Sequence, residues 1–107
     1  MITLYRQMAL ALVVLTLGAV SPAVAAADRG RTLAEALCAR CHMNDGQGEK
    51  QGPMGVPGFR AVANRPGQTM DGIVQWLRSV PPMMPDHRLT FEESQSLAEF
   101  IMSLREN

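Results

Sequence analysis

The chain has few of the residues that usually stabilise a small domain. Among its 107 residues are two cysteines, two histidines, one tryptophan, one tyrosine and three phenylalanines. Acidic and basic residues balance at ten each, so the formal net charge is zero. This balance gives no reason to expect nucleic-acid binding, which requires a basic face. The length allows one domain, and a small domain with so few bulky apolar residues is expected to depend on a disulfide, a metal or a cofactor.

The N-terminal region has the features of an export signal. A basic residue precedes an uninterrupted apolar run over residues 8–20, and small residues follow in the A-x-A spacing of a cleavage site. The run is shorter than the roughly 20 residues that a membrane span requires. We therefore predict a signal peptide over residues 1–25, cleaved after Ala25 or Ala27, with an uncleaved anchor or a buried helix as the alternative. Residues 26–107 then form an exported domain without a membrane span.

Apolar periodicity and capping signals predict three helices, and no segment has the alternation of a strand. The first helix is predicted over residues 29–40, and the second over residues 70–79 with Thr69 as its N-cap. The third follows Thr90, because Thr-Phe-Glu-Glu fits an S/T-x-x-E capping box. The predicted apolar faces are Ile73, Trp76, Leu77 and Val80 on the second helix and Leu97, Ala98, Ile101 and Leu104 on the third. The sequence thus predicts an all-α fold.

A long irregular segment separates the first two of these helices. Residues 43–68 contain six of the nine glycines and three prolines, and a short helical piece is predicted over residues 59–63. A loop of this length in a compact domain is usually functional or surrounds a ligand. We therefore expect the loops to carry the chemistry of the protein.

Both cysteines belong to one motif, Cys38-Ala-Arg-Cys41-His42. A disulfide across two residues closes a loop too small to stabilise the fold much, and a thioredoxin-like dithiol requires a preceding strand. A zinc site requires four ligands, and the only histidine besides His42 is His87. The spacing C-x-x-C-H is typical of haem attachment, in which both thiols form thioether bonds to the vinyl groups and the histidine binds the iron. We therefore predict one haem c, with a reduced dithiol as the alternative.

The segments around this motif resemble class I monohaem cytochromes c of the small bacterial periplasmic kind. The predicted helix RGRTLAEAL leads into CARCH, PGF follows in the loop, and IVQWLRS forms a tryptophan-bearing helix. The segment PPMMPDHRLT then precedes a last helix that ends in EFIMSL. The resemblance extends over residues 28–104. It implies a small cytochrome c fold, in which the N- and C-terminal helices cross and a third helix and long loops surround one covalently bound haem.

The resemblance also implies a second axial ligand to the iron, opposite His42. In this family the ligand is typically a methionine directly before a proline, and Met84 precedes Pro85. Met83 is the alternative, and His87 is a further one in a polar segment. A methionine opposite a histidine raises the reduction potential and closes the iron to small molecules. Met84 is therefore the predicted ligand.

Two further haem-pocket residues follow from the same resemblance. A proline carbonyl is expected to accept a hydrogen bond from the second ring nitrogen of His42, which orients the imidazole. Pro57 is preferred to Pro53 for this role, because Phe59 follows it by two residues in the Pro-x-Phe pattern of the family. Trp76 is expected to pack on the haem edge, with a plain core position as the alternative.

Gly30 resembles the small residue that lets the first helix of the family approach the last, with Phe100 opposite it. Glycine in a helix interior costs about 1 kcal/mol relative to alanine, so close packing explains it better than accident. The alternative is that Gly30 precedes the helix. The helix would then begin at a capping box formed by Thr32 and Glu35.

Together these features predict an electron-transfer protein rather than an enzyme. The expected function is one-electron transfer in the periplasm through haem c, either as a free carrier or as the electron-transfer subunit of a dehydrogenase or oxidase system. Its partners are then redox proteins and not nucleic acid, and it works as a monomer or as a small subunit of a complex. The alternative is a haem enzyme or gas-binding sensor with an open or displaceable sixth ligand.

Overall fold

The computed structural model describes residues 18–42 and 55–106 of the chain. Within these ranges the chain contains no strand and forms the helices α1 over Pro22–Leu37, α2 over Phe59–Ala63, α3 over Met70–Arg78 and α4 over Phe91–Ser103. The predicted all-α fold is confirmed, α2 has the predicted bounds, and α3 ends one residue earlier than predicted. None of these helices is both long and apolar enough to cross a membrane.

Helix α1 begins earlier than the sequence pattern predicted, at Pro22 rather than seven residues later. The Ser21 hydroxyl caps it by accepting a hydrogen bond from the Val24 amide at 3.3 Å. Proline suits the first helical position, where no amide donor is needed. Residues 25–27 are all alanine, which has the highest helix propensity, so the helix extends through the predicted cleavage region. The cleavage itself stays a prediction.

Gly30 lies in the interior of α1, at its contact with α4. A Cβ atom built on Gly30 would overlap the carbonyl of Ser96 and come within 2.8 Å of the Phe100 Cβ. Any side chain at this position would therefore push the two helices apart. The interpretation of Gly30 as a close-packing residue opposite Phe100 is confirmed. The alternative start at Thr32 is wrong, because the Thr32 hydroxyl donates to the Asp28 carbonyl inside the helix at 3.2 Å.

The predicted N-caps of α3 and α4 are confirmed. The Thr69 hydroxyl accepts a hydrogen bond from the Gly72 amide at 3.0 Å. At the start of α4 the Thr90 hydroxyl accepts from the Glu93 amide at 3.1 Å, and the Glu93 carboxylate accepts from the Thr90 amide at 2.8 Å. This reciprocal pair is the capping box that the sequence predicted. It fixes the point at which the loop after α3 ends.

The core lies where α1, α2 and α3 pack against α4. Its buried apolar residues are Ala34, Phe59, Ala63, Ile73, Val74, Leu97, Ala98, Phe100 and Ile101. The predicted stripe of α4 is confirmed, with Leu104 partly buried beside it. The predicted face of α3 is wrong in part, because Val74 is buried whereas Trp76 is 57% exposed and Val80 is 43% exposed. Helix α3 therefore turns its Val74 side toward the core. Trp76 lies on a more exposed side of the helix, so it is not a plain core residue.

Candidate functional site

The cysteine motif forms a compact turn directly after α1. The amide of Cys38 donates to the Ala34 carbonyl at 2.9 Å, which continues the helical hydrogen bonding by one residue. The amides of Cys41 and His42 then both donate to the Cys38 carbonyl, at 3.1 and 2.9 Å. Two thiols and an imidazole are therefore held on a single turn. Hydrogen bonds to the end of α1 and within the turn fix the positions of the three residues relative to one another.

Both thiols on this turn are free. Cys41 is exposed, whereas Cys38 is half-buried beside the core, and this burial raises the pKa of the Cys38 thiol. Burial disfavours the charged form, so the Cys38 side chain stays a neutral thiol at neutral pH. The two cysteines do not form a disulfide with each other. In residues 18–42 and 55–106 no three side chains of histidine, cysteine or acidic type are grouped to bind a metal, so the structure gives the zinc alternative no support.

His42 has its second ring nitrogen engaged by the backbone. Its Nδ1 lies 2.7 Å from the Pro57 carbonyl oxygen. A carbonyl can only accept, so Nδ1 is the donor, and in the neutral imidazole Nε2 then keeps its lone pair. The hydrogen bond that the Pro-x-Phe pattern predicted is therefore present, while Pro53 lies outside the described residues. This is the arrangement by which proteins orient a metal-binding histidine.

Phe59 is a residue of the site whose role the sequence analysis missed. Its ring stacks on the His42 imidazole, with centroids 5.1 Å apart and planes 10° apart. It also meets the Phe100 ring edge to face, at 6.1 Å and 85°. Phe59 thereby connects the cysteine turn to the contact between α1 and α4. The sequence signal for this role was the position of Phe59 in the Pro-Gly-Phe segment, from which only the choice of Pro57 over Pro53 was inferred.

The two neighbouring methionines have different environments. Met83 has φ 69° and its side chain is 91% exposed. Met84 is half-buried, and its amide donates to the carbonyl of the buried Pro81 at 3.2 Å. His87 is exposed. Of the three sequence candidates for a second axial ligand, Met84 is the one held partly inside the molecule.

Trp76 stands apart from the aromatic cluster of His42, Phe59 and Phe100. It lies on α3, and its 57% exposure leaves much of the indole as open apolar surface. In the part of the chain that the structure describes, no protein side chain closes over this ring enough to bury it.

Comparison with known proteins identifies the family. A family model for cytochrome c matches residues 27–105 of the chain. The chain belongs to the cytochrome c family. This cytochrome is also 34% identical over 94 residues to cytochrome c-552 of Bradyrhizobium diazoefficiens, an alignment that covers 86% of this chain and 89% of that protein. No solved structure matches the chain.

The cytochrome is therefore a class I monohaem c-type cytochrome, with a covalently bound haem c that contains iron. The family points to electron transfer rather than to catalysis. The residues of the turn fit this cofactor chemically, because haem c attachment requires two free thiols and an imidazole with one ring nitrogen unoccupied. Cys38, Cys41 and the Nε2 atom of His42 meet these three requirements.

Proposed function

We propose that this cytochrome is an exported one-electron carrier whose haem is held by Cys38 and Cys41 and ligated by His42 and Met84. The observation that carries the proposal is the 2.7 Å hydrogen bond from His42 Nδ1 to the Pro57 carbonyl. It commits one ring nitrogen to the backbone and directs the other away from it. Bound haem supplies reversible one-electron chemistry at its iron.

The two cysteines provide the covalent attachment. When haem is bound, Cys38 and Cys41 would hold it through thioether bonds to its two vinyl groups. The free state of both thiols and their position on one turn support this role. A cofactor attached in this way cannot be lost from a protein that works outside the cytoplasm.

Met84 is the proposed sixth ligand, with Met83 as the alternative. The half-buried side chain of Met84 and the 91% exposure of Met83 support this order. A thioether ligand opposite His42 favours the reduced state and leaves no open coordination position. Pro57 contributes through its carbonyl, and the exposed indole of Trp76 offers an apolar surface that a haem edge can cover.

The test is the absorption spectrum of the protein produced with a cytochrome c maturation system. A low-spin c-type spectrum with the weak sulfur-to-iron charge-transfer band in the oxidised state is expected. Met84→Ala should abolish this band, while the matched control Met83→Ala should retain it. The reverse result would assign the ligand to Met83.

The same measurement separates the carrier from its rival, a haem enzyme or gas-binding sensor. Carbon monoxide added to the reduced protein should leave a six-coordinate carrier unchanged at low concentration. A high-spin spectrum that shifts with carbon monoxide would mean that the iron is open or that its sixth ligand is displaceable. That outcome would replace the electron-carrier proposal.

Export to the periplasm and cleavage after Ala25 or Ala27 are part of the proposal. They rest on the apolar run over residues 8–20 and the small residues after it. Cleavage at either site removes Ser21, the present cap of α1, but retains Gly30 and its contact with α4. Mass spectrometry of protein from the periplasmic fraction would give the mature N-terminus. Recovery of the full-length chain in the membrane fraction would favour the uncleaved anchor.

The proposed partners are redox proteins that bind transiently, and the protein acts alone or as a small subunit of a complex. The formal net charge of zero provides little long-range attraction. Complex formation with a partner should therefore depend only weakly on ionic strength. Sedimentation of the purified protein would distinguish a monomer from a stable assembly.

A further inference from the structure

Helix α2 and the segment just before it contact His42, through the Phe59 ring and the Pro57 carbonyl. The helix is nevertheless too short to be stable by itself. It has five residues, and its N-cap Gly58 makes no side-chain capping hydrogen bond. Helix nucleation is unfavourable, so an isolated segment of this length is not stable in water. Its place in the fold must therefore come from contacts with other parts of the chain.

Glu106, which follows α4, contacts both ends of α2. Arg60 Nη1 donates a hydrogen bond to Oε1 of the Glu106 carboxylate, with the two atoms 2.6 Å apart. The Glu106 amide donates to the Asn64 side-chain oxygen at 2.9 Å, and the Asn64 side-chain nitrogen donates to the Arg60 carbonyl at 2.8 Å. Arg60 is in the first turn of α2 and Asn64 is its C-cap. The three residues therefore close a ring of hydrogen bonds around the short helix.

Arg105 extends this attachment to the connection between α2 and α3. Its Nη1 donates to the Gln68 carbonyl at 2.9 Å. The Gln68 side chain in turn donates to the Val62 carbonyl at 3.0 Å, inside α2. Two successive residues after α4 thus hold α2 and the segment that follows it. We name Arg60, Asn64, Arg105 and Glu106 the α2 clamp.

The α2 clamp is close in sequence to both contacts that orient His42. Phe59, which stacks on the imidazole, is adjacent to Arg60, and the Pro57 carbonyl lies two residues before Phe59. A displacement of α2 would therefore change the stacking and the hydrogen bond together. The other attachments of α2 include the apolar contacts of Phe59 and Ala63 in the core, which lack the directionality of hydrogen bonds.

We propose that Arg60 and Glu106 are positioning residues for His42, acting through α2 on the hydrogen bond to the Pro57 carbonyl. This inference rests on the proposed role of His42 as an iron ligand. A strong hydrogen bond at Nδ1 raises the basicity of the imidazole and its electron donation to a metal. Loss of the α2 clamp weakens that bond, so the reduction potential rises.

The ion pair by itself contributes little to global stability. The Glu106 side chain is 63% exposed, and solvent strongly weakens exposed ion pairs of this kind. A role confined to stability would therefore leave the properties of His42 unchanged. The positioning role instead predicts a local effect at Nδ1 that exceeds the change in global stability.

The experiment uses the haem-loaded protein and the neutral double variant Arg60→Gln/Glu106→Gln, which removes the ion pair without changing the net charge. Three quantities are measured: the solvent exchange rate of the His42 Nδ1 proton by NMR in the reduced state, the reduction potential, and the urea midpoint. We expect exchange to become roughly fivefold faster, as for loss of about one hydrogen bond, and the potential to rise. The charge-swapped variant Arg60→Glu/Glu106→Arg should restore both values toward those of the wild type.

Two controls make the result decisive. Arg29→Gln/Glu35→Gln removes the same two charges from exposed positions on α1 and should leave exchange and potential unchanged. Ile101→Val destabilises the core but leaves every residue of the α2 clamp in place, and equal acceleration of exchange in that variant would overturn the proposal in favour of a stability effect. Unchanged exchange and potential in the neutral double variant would overturn it as well. A wild-type spectrum without an iron-bound His42 would instead refute the proposed function, and the positioning role with it.

Discussion

The contact between α1 and α4 and the loop between α3 and α4 differ in what determines their conformation. At the helix contact the protein supplies everything itself: Gly30 removes the steric obstacle, and Leu97 and Phe100 are almost fully buried. In the loop, residues 80–88, Met83 is nearly fully exposed. Packing between protein groups therefore defines the first region, whereas the second presents side chains that the described protein does not cover.

Backbone conformation shows the same difference. Val80, Met83 and Arg88 in the loop have φ values of 50°, 69° and 51°. Such values are uncommon outside glycine, and for a β-branched residue such as Val80 they are strained. Strain of this kind persists where other interactions compensate for it, and it is concentrated at functional sites. The comparison indicates that the helix contact supports stability, and the positive φ values in the loop agree with the ligand role proposed for Met84.

The largest effect on stability is expected from Phe100→Ala, at the centre of the helix contact. Phe100 is 1% exposed and meets Phe59 edge to face, so its removal should lower the free energy of unfolding by about 4 kcal/mol. Urea denaturation of the haem-loaded protein measures this change. Phe91→Ala is the matched control on the same helix, because Phe91 is 53% exposed and should lose at most about 1 kcal/mol from its contact with Arg78. Equal losses of stability in the two variants would show that the buried contact between α1 and α4 contributes no more than an exposed aromatic contact.

A somewhat smaller loss is expected from Gly30→Ala. The added methyl group would overlap the Ser96 carbonyl, and separation of the helices should cost about 3 kcal/mol. Gly72→Ala is the control, because its added methyl group would meet only the side-chain ends of Thr69 and Gln68, at 3.1 and 3.4 Å. The higher helix propensity of alanine should offset that crowding. A midpoint for Gly30→Ala as high as that of the control would show that α1 and α4 can separate freely.

Thr90→Ala tests the boundary between the loop and α4. Removal of the hydroxyl breaks one bond of the capping box and should cost about 1 kcal/mol. Thr90→Ser retains the hydroxyl and should recover most of the loss. The thermal midpoints of the two variants provide the comparison, and a serine variant as unstable as the alanine variant would assign the effect to packing of the threonine methyl group.

An effect of about the same size as that of Thr90→Ala, but of opposite sign, is expected from Met83→Gly in the loop. Glycine adopts a φ of 69° without steric cost, so this change should raise the free energy of unfolding by about 1 kcal/mol. Met83→Ala keeps the unfavourable φ and should remain within about 0.5 kcal/mol of the wild type. If both variants behave alike, the loop is not strained at Met83. A gain of stability from the loop variant and losses from the helix-contact variants would together show that the helix contact stabilises the protein and that the loop is strained.

Prediction from sequence succeeded where a feature depends on residues close together in the chain. The bounds of α2 and the caps at Thr69 and Thr90 were predicted because these hydrogen bonds join residues three or four apart. The start of α1 was mispredicted because the small residues after the apolar run were interpreted as a cleavage site, and Ser21 was not considered as a helix cap. For α3, periodicity predicted an apolar face but not which side α4 covers, so Trp76 was given a place that Val74 occupies.

The sequence by itself determined the helical fold class, the cysteine motif with its adjacent histidine, and the proline that accepts from it. The helical pattern and the motif depend on local spacing, whereas Pro57 was preferred because of the family resemblance, and the structure shows the predicted bond between His42 and Pro57 across 15 residues. Only the tertiary structure decided that Phe59 stacks on His42, that Met83 and Met84 differ in exposure, and that Arg60 meets Glu106 across 46 residues. Such contacts depend on how α2, α3 and α4 pack, because side chains far apart in the chain meet only when the buried surfaces of the helices have brought them together.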